Sequence, residues 1–115
     1  MGDVLNDPVA NPRLAILKSF AEKRPQDPFP RYALAMELKT AGDLSAAWQV
    51  LESLIADHPD YIPAYAPAGE ALRALGQRLE AGEVFGKGIE AALRRNDTHA
   101  RDHLEALLAQ LDDDK

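Results

Sequence analysis

The sequence predicts an all-α domain of about six antiparallel helices, and three observations carry that prediction. Ala and Leu contribute 20 and 16 of the 115 residues, while Ile and Val contribute only 4 each; strong helix formers abound and the β-branched material of a sheet is scarce. Pro and Gly fall at intervals, and the segments between them carry helical periodicity. The chain also repeats itself at an offset of 34, superposing Leu38 on Leu72, Gly42 on Gly76, Ala47 on Ala81, Val50 on Val84 and Ile55 on Ile89. A repeat of that length is one helix-turn-helix unit stacked on the next.

The helices follow in order. Residues 1–11 hold turn formers without periodicity and are expected to be a frayed, flexible segment. Asn11-Pro12 reads as an N-cap followed by Pro at the first helical position, opening a helix 12–24 that Pro25 stops. The turn around Asp27-Pro28 opens a second helix, which Gly42-Asp43 turns into a third, 44–57, ended by His58-Pro59. A fourth helix begins near Ile62-Pro63 and stops at Gly76, a fifth runs from Arg78 to Arg95, and Asn96-Asp97-Thr98 caps a sixth. The chain therefore divides into a half-repeat helix 12–24, repeat one 28–60, repeat two 62–95 and a capping helix 98–112, with an acidic tail 113–115. Leu104, Leu107, Leu108 and Leu111 form the single apolar stripe of that cap.

Ala35, Leu38, Gly42, Asp43, Ala47, Leu51 and Pro59, matched by Tyr65, Gly69, Leu72, Gly76, Ala81 and Phe85, resemble the tetratricopeptide repeat family over residues 28–95. The resemblance implies a right-handed α-α superhelix, with Ala35/Gly69 and Ala47/Ala81 at the close approach of helices A and B. Leu38/Leu72 and Leu51/Phe85 would fill the space between units. Two departures have consequences. Leu93 replaces the closing Pro, so the fifth helix should run on for another turn, and Pro67 stands inside a helix A, where it should remove a hydrogen bond and bend the helix.

Several functions are excluded or disfavoured. A net charge of −6 opposes nucleic-acid binding. No apolar run approaches the ~20 residues of a membrane span, and no secretory leader pattern opens the sequence. The absence of Cys fits a reducing, cytoplasmic compartment. Gly82 to Gly88 falls within a helix and makes no phosphate loop, Ser19, Ser45 and Ser53 lack a nucleophile context, and no catalytic constellation is expected. His99 and His103 stand at a metal-competent i, i+4 spacing, but an exposed helix turn is the simpler reading, and neither a metal nor a cofactor is expected.

What remains is a second stripe on the A helices. At 100° per residue Leu34, Leu38 and Ala41 point to the core, whereas Phe29, Tyr32, Met36 and Lys39 point the other way. Ala66, Glu70 and Arg73 continue that stripe in the second repeat. These seven residues are the expected groove for a peptide or helix of another protein, with aromatic and Met anchors. The alternatives are that residues 1–11 fold over the stripe, or that two copies bury it in a homodimer. By resemblance, the carboxylate clamp found in chaperone-binding members would need basic and amide residues where Tyr32, Met36, Pro67 and Asp97 stand, with only Arg101 suitable, so that chemistry is disfavoured. The charge does not mark the groove: residues 13–96 hold as many acids as bases, and the acidity lies at the two ends.

Overall fold

The computed structural model describes residues 11–113. They form α1 (Pro12–Lys23), α2 (Pro28–Thr40), α3 (Leu44–Asp57), a single 3-10 turn (Ile62–Ala64), α4 (Tyr65–Ala74), α5 (Arg78–Arg94) and α6 (Thr98–Asp113). There is no strand among the described residues, and no helix there is long and apolar enough to cross a membrane. The expectations for residues 1–10 and for most of the acidic tail lie outside the described residues.

Each helix starts and stops for a local reason. Asn11, Asp27, Asp43 and Asp97 accept from the backbone N–H of Leu14, Phe29, Ala46 and Ala100, satisfying donors that the first turn leaves unpaired. Pro12 and Pro28 occupy first helical positions, where the missing N–H costs nothing. At the other ends, Gly42, Gly76 and Asn96 take positive φ of 88°, 80° and 55°. In each case the following amide (Asp43, Gln77, Asp97) donates back five residues to Leu38, Leu72 or Ala92; this is the left-handed termination that Gly favours and Asn tolerates.

The two departures resolve differently. With Leu93 in place of Pro, α5 has 17 residues against 14 in α3, as expected. Pro67 does not lie deep in a helix. The chain first makes the 3-10 turn, and α4 begins at Tyr65, so Pro67 falls in the first turn and its nitrogen has no partner within α4 to lose.

Packing runs from each helix to its successor, and α4 also touches α6. Leu14, Leu34, Leu38 and Ala47 form one core cluster, joined by Leu17 and Ala21. Leu51, Leu54, Tyr65, Leu72, Phe85 and Leu104 lie in a second, larger one. Ala35, Ala47 and Ala81 are fully buried, as close helix approach requires. Phe85 lies in the cluster that joins repeat one, repeat two and α6, and its ring also covers Gly69 of its own repeat, at a point where no Cβ would fit. The cap stripe is buried at Leu104, Leu107 and Leu111.

Candidate binding groove

Helices α2, α4 and α6 hold the A position in successive units. Polar links tie their outer sides: Lys39 Nζ of α2 lies 3.7 Å from Glu70 Oε2 of α4, and Arg73 Nη1 of α4 donates to Gln110 Oε1 of α6 at 3.3 Å. Lys39 and Glu70 thus meet across α2 and α4, whereas Arg73 is linked to α6, and none of the three lines a hollow with Phe29, Tyr32 or Ala66.

Phe29, Tyr32 and Met36 line a hollow of about 370 Å³ on the outer side of α2. Its far wall is α1, through Arg13 and Leu17, because the half-repeat helix lies against α2. Phe29 is 60% exposed, and its ring lies 6.4 Å from Tyr32 in a tilted pair. Tyr32 in turn meets the Tyr61 ring edge-on at 5.8 Å. Burial raises the Tyr61 hydroxyl above its ordinary range, and the neighbouring Tyr32 and Asp27 add to the shift. The aromatic side chains therefore brace one another, which limits the rotamer freedom that binding would cost.

Tyr32 also lines a second hollow, of about 300 Å³, with Ala66 and Pro67 of α4 and with His99, His103 and Leu104 of α6. Ala66 is small, and that leaves room there; Asp97, also in the lining, is committed to capping α6. The site is a pair of mainly apolar hollows divided by one tyrosine. Among the described residues no group of three His, Asp or Glu side chains converges as metal ligands.

Of the seven expected residues, Phe29, Tyr32 and Met36 share the first hollow, and Tyr32 and Ala66 share the second. Reasoning from the sequence missed Arg13 and Leu17 of α1 and the contribution of α6. The signal for α6 was present: the offset of 34 that carries Tyr32 to Ala66 carries it on to Ala100, and carries Glu70 to Leu104. The seven expected residues nonetheless stop at Arg73, because the single leucine stripe of α6 marks it as a cap.

The chain is similar to solved structures of helical repeat proteins. One is the solution structure of a tetratricopeptide repeat domain protein from Salinibacter ruber, 30% identical, covering 76% of this chain and 88% of that one with a TM-score of 0.71. A crystal structure of a tetratricopeptide repeat domain protein from the same organism is 29% identical, covering 75% and 97%, with the same TM-score of 0.71. A protein from Bordetella parapertussis shares the fold at 22% identity, with 88% of each chain covered and a TM-score of 0.75. No protein-family model and no curated protein matches the chain.

Proposed function

The chain belongs to the tetratricopeptide repeat family, and from that premise we propose that it is a non-catalytic interaction module whose A-helix face holds a peptide or helix of another protein. The observation that carries this reading is the placement of Tyr32, which forms a wall of both hollows while Phe29 beside it stays exposed. Two apolar hollows on either side of one ring suit two apolar side chains of a bound segment, and aromatic or Met anchors of this kind carry much of the energy in such interfaces. The Lys39–Glu70 pair and Arg73 would set register more than affinity.

Affinity capture from the native host, comparing the wild-type chain with Tyr32→Ala/Met36→Ala, tests the reading. Partners retained by the wild type and lost by a folded double variant support it; an identical set of partners overturns it. Gel filtration at two concentrations tests the competing homodimer. A concentration-dependent shift that the double variant abolishes would assign the face to self-association instead.

A further inference from the structure

We infer that the side of α1 turned away from the groove is a second docking surface, built to seat an acidic amphipathic helix of a partner protein. The repeat itself defines what that side is shaped to receive. The offset of 34 carries Ile16 to Val50 and Val84, and Phe20 to Leu54 and Gly88. Val84 is 9% exposed and Leu54 fully buried, yet Ile16 and Phe20 are 55% and 47% exposed. Val50 packs against the cluster that includes Leu34 and Leu38 of α2, the A helix paired with α3. Helix α1 is a B-type helix whose opposite side, through Leu14, Leu17 and Ala21, packs in the first core cluster. The exposed side is the place where the other B helices receive an A helix.

Charge selects the occupant. At 100° per residue Ile16, Phe20 and Lys23 fall within about 60° of one another, so Lys23 borders the apolar pair on one flank; Arg13, on the other, stands at the boundary with the groove hollow that it also lines. Arg24 lies over the Phe20 ring, with its guanidinium carbon 6.0 Å from the centroid. Glu22, the one acid of α1, lies well off that arc. Lys23 has no ion-pair partner among the described residues, and Arg13 reaches Glu37 while staying largely exposed. A second copy fits poorly. Two α1 helices packed antiparallel would oppose Arg13 to Lys23. The A-type helix α6 carries Asp102, His103 and Ala106 at the positions where α2 presents Leu34, Ala35 and Leu38. The matching helix combines a Leu-Ala-x-x-Leu spacing like that of α2 with acidic flanks.

The probe is a synthetic helical peptide of about 15 residues that keeps this Leu, Ala, Leu spacing and carries Glu on both flanks, with a Lys-flanked peptide as control. It is titrated into the full chain while backbone amide shifts are followed. The expected result is a set of shifts centred on residues 12–24, with binding about tenfold or more weaker for the Lys peptide, for Lys23→Glu/Arg24→Glu, and for Ile16→Ser/Phe20→Ser. The last pair is exposed, so a melting temperature near wild type verifies that it folds. Shifts centred on Tyr32 and Ala66, equal binding of the two peptides, or no shift at about 1 mM peptide would overturn the inference. So would contacts from residues 1–10 to Ile16 and Phe20 in the free chain, or self-association abolished by Ile16→Ser/Phe20→Ser.

Discussion

Gly69 and Phe85 are fitted to each other: a Cβ built on Gly69 would lie 2.6 Å from Cδ1 and Cζ of the Phe85 ring. The offset of 34 places Ala35 and Leu51 at the equivalent positions of repeat one, and both are fully buried. Repeat two thus pairs the smaller residue with the larger ring, where repeat one holds a methyl and a leucine in the same core cluster. Gly69→Ala should therefore destabilise the chain by about 1–3 kcal/mol through overpacking, despite the better helix propensity of Ala. Gly69→Ala/Phe85→Leu, which copies repeat one, should recover part of that loss, so the double variant will be more stable than the sum of the single effects indicates. Urea denaturation of the four proteins measures the coupling, and strict additivity would show that the two sites are independent.

Alkaline pH should act through Tyr65. Its hydroxyl donates to the carbonyl of Pro59, tying α4 to the turn before it. Burial is the main influence on its ionisation and raises the pKa above the ordinary 10.0; Arg94 opposes this, and Asp60 and Glu90 add to it. An acid whose folded pKa is raised stabilises the fold fully below its unfolded pKa, and that contribution is lost as pH rises through the folded value. The denaturation midpoint should fall once the pH passes about 10, and Tyr65→Phe should flatten that fall while costing about 1 kcal/mol near pH 7 for the lost hydrogen bond. Tyr61, raised in the same direction, leaves some slope in the variant.

Arg31 locks repeat one. Its Nη1 donates to Asp57 Oδ2 at 2.7 Å and to Ser53 Oγ at 3.1 Å, and its Nη2 donates to the Pro25 carbonyl at 2.8 Å. One planar group thus joins α2, the end of α3 and the turn after α1. The Arg31 side chain is 11% exposed and that of Asp57 60%, so the two partners should not be equivalent. Arg31→Lys cannot reproduce the fork and should cost about 1–2 kcal/mol, whereas Asp57→Asn should cost less than about 1 kcal/mol. Thermal melts of the two variants decide the order; a larger loss in Asp57→Asn would place the energy in the exposed ion pair.

The helices were legible because punctuation and periodicity agree. Asn11-Pro12, Gly42-Asp43 and Gly76 each mark a boundary by backbone chemistry that needs no tertiary context. The site was legible only in part. Phe29, Tyr32 and Met36 announce themselves as apolar residues on the wrong side of α2, but Leu17 does not, because its role depends on α1 leaning on that helix. Pro67 misled for a related reason. The sequence places a helix start near Ile62, and only the path of the backbone shows a 3-10 turn being completed before α4 begins.

Asn96 links the end of α5 to the second hollow. It has φ 55°, where an L side chain is strained and Gly is not. Gly42 and Gly76 end α2 and α4 in the same way without that cost. Asn96→Gly should be neutral or stabilising by up to about 1 kcal/mol, Asn96→Ala destabilising by a similar amount, and Gly76→Ala destabilising by about 1–2 kcal/mol. The next residue, Asp97, caps α6 through the Ala100 amide, and α6 carries His99 and His103 into the hollow shared with Tyr32. Strain introduced by Ala at position 96 should therefore reach the groove: amide spectra of Asn96→Ala should shift at Ala66 and His103, and those of Asn96→Gly should not. Equal spectra for both variants would mean that the turn and the hollow are mechanically separate.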